Sequence, residues 1–167
     1  DNPVHVTTKV KEDVSSLRAP ELGAAIGRYF RQVVGRHDDF RVTAFSIQNT
    51  HIHMLVEADS QDALSRGLQG LLSRLARLIN KHTGRSGRVW RDRYHAHELT
   101  TVAETRHSVR YVLLNFAKHG GPLGIDPLSS ATWFAHWREV APAPTGSPVA
   151  KPRTWLLREG AYKFAGP

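Results

Sequence analysis

Two histidines, His51 and His53, stand either side of one isoleucine in "NTHIHMLVEA" (Asn49–Ala58), a run otherwise apolar enough for a β-strand. Alternate side chains of a strand point to opposite faces. The two imidazoles therefore project together, about 7 Å apart, while Ile52, Met54 and Val56 project the other way, into a core. Two neutral imidazoles converging from one face are a ready pair of nitrogen ligands for a cation. The plainer reading is two polar residues on the wet face of an amphipathic strand, and the pair alone does not decide between them.

A second group of residues does. Further along, Val109, Val112, Leu113 and Phe116 recur at the spacing of one buried helical stripe. At about 100° per residue, His107, Tyr111, Asn115 and Lys118 fall on the opposite face. Tyr111 is thus off the apolar stripe, with Asn115 one turn behind it. Of the other tyrosines, Tyr29 belongs to a core stripe and Tyr162 follows a linker, which leaves Tyr94 as the alternative nucleophile. A free phenol has a pKa near 10 and attacks poorly at neutral pH. A cation held by His51 and His53 would help by polarising a phosphoryl oxygen, and Asn115 offers an amide oxygen as third ligand. Donor preference alone leaves zinc, manganese and magnesium open.

The elements that must position these groups are legible in outline. Val4–Val10 alternates and reads as a first strand. Pro20 opens a helix whose stripe is Leu22, Ala25, Ile26, Tyr29, Phe30, Val33 and Val34, with Gly35 as its stop. Phe40–Gln48 and the histidine run are two strands separated by Asn49 and Thr50, which predicts a tight hairpin. Asp59 and Ser60 are N-cap candidates for a helix with Leu64, Leu68, Leu71, Leu72, Leu75, Leu78 and Ile79 on one stripe. Arg93–Thr100 reads as a fourth strand, and a last helix runs from about Ala103 to Lys118. The order β-α-β-β-α-β plus a helix predicts an α+β, ferredoxin-like split βαβ fold. Its antiparallel sheet would carry helices on one face, leave the other open for a site, and end in the helix bearing Tyr111. Residues 1–138 would form that domain, the Pro- and Ala-rich 139–152 a linker, and 153–167 a tail. Trp133, Trp137 and Trp155 are expected to dock the tail.

Composition limits the possibilities. Twenty-three Lys and Arg against fifteen Asp and Glu give a net charge of +8, a surplus that favours polyanionic partners. The absence of cysteine excludes disulfides and thiolate chemistry and is compatible with a reducing cytoplasm. No apolar run is long enough to span a membrane, and the first residues carry no signal-peptide pattern, although a start at Asp1 leaves a leader open. Arg66, Arg74, Arg77 and Lys81 fall on the polar side of the second helix, and Arg85, Arg88, Arg91 and Arg93 continue beyond it, interleaved with Trp90 and Tyr94. Cations with aromatics between them suit single-strand phosphate tracking and base stacking.

Taken together, "FSIQNTHIHMLVEA", "GRVWRDRYHAHEL" and "RYVLLNFAKHG" resemble the HUH single-strand transposases with one catalytic tyrosine, and most of all the REP-associated tyrosine transposases of the IS200-like group. The resemblance covers roughly Val4 to Gly121. It implies that His51, His53 and Asn115 hold a divalent metal, Mg2+ or Mn2+, and that Tyr111 is the nucleophile. The implied reaction is cleavage and rejoining of single-stranded or hairpin DNA through a 5′-phosphotyrosine. "QNTHIH" lacks the Pro-Asn that often precedes the pair, and Phe116 stands where proline is common. Neither departure removes a chemical group, but both suit a divergent branch, including a domesticated protein that binds DNA without cutting it. A histidine-metal hydrolase of small phosphoesters is the third reading, unsupported by any acidic metal cluster. The short "TTVAE" connection (Thr100–Glu104) favours a monomer over a homodimer that exchanges its last helix.

Overall fold

The computed structural model of the chain describes residues 2–118, 124–134 and 145–163. Its elements are β1 (Val4–Lys9), α1 (Pro20–Val33), β2 (Phe40–Ile47), β3 (His51–Ala58), α2 (Gln61–Thr83), β4 (His95–Glu98) and α3 (Val102–Lys118), with a short α4 (Ala161–Lys163) near the end. The sheet order is β2-β3-β1-β4 and every neighbouring pair is antiparallel, the order of a ferredoxin-like split βαβ fold.

Alternation along the strands sorts the two faces. Val4 and Val6 of β1 and Ile52, Met54 and Val56 of β3 join Leu22, Ile26 and Phe30 of α1 and Leu68, Leu75 and Ile79 of α2 in one apolar cluster. In β2 the register shifts between Val42 and Ala44, a bulge at Thr43. Val42, Phe45 and Ile47 consequently all reach that cluster, while Ala44 turns to the opposite face. Strict alternation would have sent Phe45 and Ile47 the wrong way.

The caps are chemically specific. Ser60 Oγ accepts from the Ala63 amide at 3.1 Å, which makes Ser60 rather than Asp59 the N-cap of α2. Gly84, at φ 65°, closes its C-terminus through a bond to Asn80 O. Gly67 lets α2 rest on β2, because a Cβ there would meet the Phe40 ring at 2.2 Å. Helix α3 opens with a reciprocal box: Thr101 Oγ1 accepts from the Glu104 amide, and Glu104 Oε2 accepts from the Thr101 amide, both at 3.2 Å.

The second face is not open along its whole width. Helix α3 crosses β2 and β3 there, and Val109, Val112 and Leu113 pack with Ala44, Leu55, Leu99 and Leu157 in a smaller cluster. The C-terminal segment lies on the same body. Ala150 N donates to Val42 O at 2.9 Å. The wholly buried Glu57 carboxylate accepts from Arg41 Nε at 2.8 Å, from the Arg153 and Thr154 amides at 2.7 and 3.0 Å, and from Thr154 Oγ1 at 2.7 Å. Four charge-assisted bonds around one carboxylate make a buried clasp. Leu157 does the apolar docking of this segment, whereas Trp155 is half exposed against Gly160. Trp133 is half-buried, 5.6 Å from the Arg31 guanidinium, and Trp137 lies outside the described residues.

Candidate active site

On the α3 face of β3 the odd-numbered residues His51, His53, Leu55 and Glu57 line up, as the strand period requires. The His51 and His53 rings stand 4.7 Å apart, nearly perpendicular. His53 is buried at 4% exposure, while His51 is half-buried and within 3.2 Å of Thr50 Oγ1. Tyr111, carried in on α3, meets the His53 ring edge-on at 5.0 Å. The sheet histidines and the helix tyrosine therefore come together in one chain. Tyr94, by contrast, packs with the α1–α2 cluster on the other side of the sheet.

Two fastenings hold α3 at this angle besides its apolar stripe. Arg106 Nε donates to Ala161 O at 3.0 Å. Near the far end, the Arg18 guanidinium lies 3.6 Å over the Phe116 ring, grips Asp126 with two bonds of 2.8 Å and donates to Ile47 O at 2.7 Å. Phe116, expected in the core stripe, is instead half-buried beneath this cation. The buried side of α3 is shifted accordingly and includes Thr105, Ser108 and Asn115. Asn115 is fully buried rather than on the outer face with His107 and Tyr111. Its amide nitrogen and oxygen both lack a hydrogen-bond partner among the described residues. A buried amide left so costs about 1–3 kcal/mol. Two imidazoles and an amide oxygen are donors that suit a divalent ion, and the Asn115 side chain is enclosed on the buried side of α3. Among the described residues, no group of three or more His, Asp or Glu side chains gathers to hold a metal by itself.

The sheet contributes further groups that sequence reasoning passed over. His5 and Thr7 on β1 share the face of His53: Thr7 Oγ1 lies 3.0 Å and His5 Nε2 3.3 Å from His53 Nδ1. The His5 ring is 5.9 Å from that of Tyr111. Across β1, His97 and His95 of β4 sit opposite His5 and Thr7. Burial, then repulsion from His97, His95 and His107, lowers the His5 pKa to about 4. His107 stacks on Tyr111 at 6.4 Å. The available signal was the alternation of "VHVTTK", which sets His5 and Thr7 against Val4 and Val6 on the central strand beside β3.

The expected basic surface is divided from this site. Helix α2 covers the opposite face of the sheet, so Arg66, Arg74, Arg77 and Lys81 lie on the far side from Tyr111. Arg66 pairs with Asp39 at 3.2 Å, Arg85 with Asp13, and Arg91 with Asp92 at 3.5 Å. Arg88 Nε donates to Trp90 O at 2.8 Å. Arg77, Lys81 and Arg93 form no ion pair among the described residues. Trp90 is no open stacking platform: it packs on the core cluster and donates Nε1–H to Leu72 O at 3.0 Å. Beside Tyr111, Arg106, His107 and Arg110 of α3 line a shallow groove.

A tyrosine is thus brought to a histidine pair on an antiparallel split βαβ sheet. A sequence model described as "Transposase IS200 like" matches residues 3–113, and the chain belongs to that family. DNA transposition and DNA binding are the functions this membership brings. A solved REP-associated tyrosine transposase bound to a REP hairpin is similar in fold, at 19% identity and TM-score 0.59 over 77% of this chain and 76% of the other. A putative transposase from Deinococcus radiodurans is also similar, at 18% identity and TM-score 0.49 over 68% and 88%. No curated protein matches significantly. Among the described residues no helix is long and apolar enough to cross a membrane.

Proposed function

We propose that the chain cleaves and rejoins single-stranded or hairpin DNA through a 5′-phosphotyrosine on Tyr111. His51, His53 and Asn115 would hold a divalent cation, Mg2+ or Mn2+. That ion supplies Lewis-acid polarisation of the scissile phosphate. Tyr111 Oη forms the bond to phosphorus as its proton leaves, and the P–O3′ bond breaks to release a 3′ hydroxyl. The phosphodiester's energy is kept in the phosphotyrosine, so rejoining needs no nucleotide cofactor. The rings of His5, His53 and His107 lie against the phenol.

The observation that carries this reading is the 5.0 Å edge-on meeting of the Tyr111 and His53 rings, with His51 beside them. A 5′-labelled oligonucleotide with a hairpin and a single-stranded flank, incubated with Mn2+, tests it. A covalent protein–DNA adduct that disappears in Tyr111→Phe is expected. Binding without adduct under every divalent metal points to the rival, a domesticated DNA-binding protein. Complete burial of Asn115 favours that rival, since the third ligand must shift before it meets an ion.

Hairpin DNA is the proposed partner because the similar solved transposase carries one. Tyr111 and both histidines belong to the same chain, which supports a site complete in a monomer rather than one shared across a homodimer. Arg66, Arg74, Arg77, Lys81, Arg85, Arg88, Arg91 and Arg93 are assigned to flanking duplex that wraps past the sheet edge, away from the scissile phosphate. A DNA substrate and a cysteine-free chain suit the cytoplasm.

A further inference from the structure

His53 Nδ1 faces two polar groups at once, Thr7 Oγ1 at 3.0 Å and His5 Nε2 at 3.3 Å. Neutral imidazole has one N–H and one lone pair, on different nitrogens. A ring that ligates a cation must offer the lone pair. With Nδ1 engaged by β1, that lone pair belongs on Nε2, and Nδ1 must carry the proton. The proton then needs acceptors. A threonine hydroxyl always has lone pairs to offer, whereas a histidine accepts only while the facing nitrogen is unprotonated. A neutral His5 in its Nδ1–H form presents the Nε2 lone pair to His53 at 3.3 Å.

We infer that His5 and Thr7 are positioning residues that hold His53 in its Nδ1–H tautomer and aim Nε2 at the divalent cation. The geometry follows from register. Thr7 lies directly opposite His53 in the β1–β3 ladder, and His5 one step further along the same face. Both come from a central strand paired on either side, so neither acceptor shifts without disturbing the sheet. Such outer partners fix a ligand's tautomer and orientation and raise its basicity. The inference rests on the metal reading given above, and the test is built to separate the two.

The full chain, labelled with 15N, is measured by long-range proton–nitrogen correlation at neutral pH without metal, with His53→Asn identifying the His53 ring. The expected spectrum shows protonated Nδ1 and lone-pair Nε2. Thr7→Val and His5→Phe, alone and together, should move His53 towards the other tautomer. Affinity for Mn2+ alone, by titration calorimetry, should weaken about 10–100-fold in the double variant. Thr7→Ser and His5→Gln, which restore an acceptor, should recover it, so a folding defect is told apart from a lost acceptor. A His53 ring protonated at Nε2 in the wild-type chain overturns the inference. So does unchanged Mn2+ affinity in the double variant when His51→Ala or His53→Ala abolishes binding. A wild-type chain that binds no Mn2+ sinks the metal reading and this inference together.

Discussion

The two faces of the sheet are built on different principles from the same strands. Facing α1 and α2, β3 presents Ile52, Met54 and Val56, all fully buried in a continuous apolar cluster. Facing α3, the alternate residues of that strand are His51, His53, Leu55 and Glu57, which meet histidines, a phenol, an arginine and only a small apolar cluster. The first face stabilises by area removed from water. The second spends part of its burial on polar groups that need partners, including an amide with none among the described residues. Stability and chemistry are therefore separable by parity along one strand, and each can be perturbed alone.

The strongest break is at Tyr111, the proposed nucleophile. Tyr111→Phe deletes one hydroxyl from a half-buried side chain. Adduct formation on the hairpin oligonucleotide should fall by on the order of 10⁴-fold or beyond detection, with the melting temperature within about 2 °C of wild type. A mutant that still forms adduct would move the nucleophile elsewhere.

Next in size is the Glu57 clasp, where the polar face also bears structure. Glu57→Ala leaves the Arg41 guanidinium, buried at 9% exposure, with the exposed Asp59 as its remaining ion-pair partner, and frees the amides of Arg153 and Thr154. Breaking one partner of a buried pair costs about 3–5 kcal/mol, to be read as a lower urea midpoint. The adjacent pair Met54→Ala and His51→Ala then tests parity within three residues. The first opens a cavity in the apolar face and should cost about 2–5 kcal/mol without changing Mn2+ affinity per folded molecule. The second should stay within about 0.5 kcal/mol in stability and lose the metal. The reverse outcome would mean that the faces are not independent.

How much of this was legible in the sequence follows the same division. Helix and strand periods placed every core element, because one buried face repeats a simple pattern: Leu64 to Ile79 on α2 is the plainest case. The histidine pair and Tyr111 were legible because parity and the 100° turn of a helix also fix direction. What escaped depended on pairing between distant segments. His5 and Thr7 matter only because β1 lies beside β3. Phe116 lies outside the core stripe beneath Arg18, which is far away in sequence. Asn115 was placed outside because α3 was read as having one narrow stripe, whereas the sheet below and the C-terminal segment above bury a wider arc that takes in Thr105, Ser108 and Asn115. The Thr101–Glu104 box was readable and would have set the helix start one residue earlier, at Val102.

The smallest expected effect concerns the cations, and it asks whether the two faces serve one DNA molecule. Each phosphate neutralised by a side chain adds about 0.9 to the slope of log affinity against log salt on duplex, and removing one contact lowers that slope by about one. Arg110 is exposed on α3 in the groove beside Tyr111, so Arg110→Ala should reduce the slope by about one on any oligonucleotide spanning the cleavage point. Arg85, Arg88 and Arg91 lie beyond α2, two of them already paired with Asp13 and Asp92. Replacing all three with alanine should therefore lower the slope by less than three, about one to two, and only on substrates long enough to carry duplex past the sheet edge. On a short single strand limited to the cleavage point the triple variant should behave as wild type. An equal loss on short and long DNA would place the far-side arginines at the scissile strand and require a path across the sheet that parity does not provide. No change on either would assign that basic surface to solvent alone.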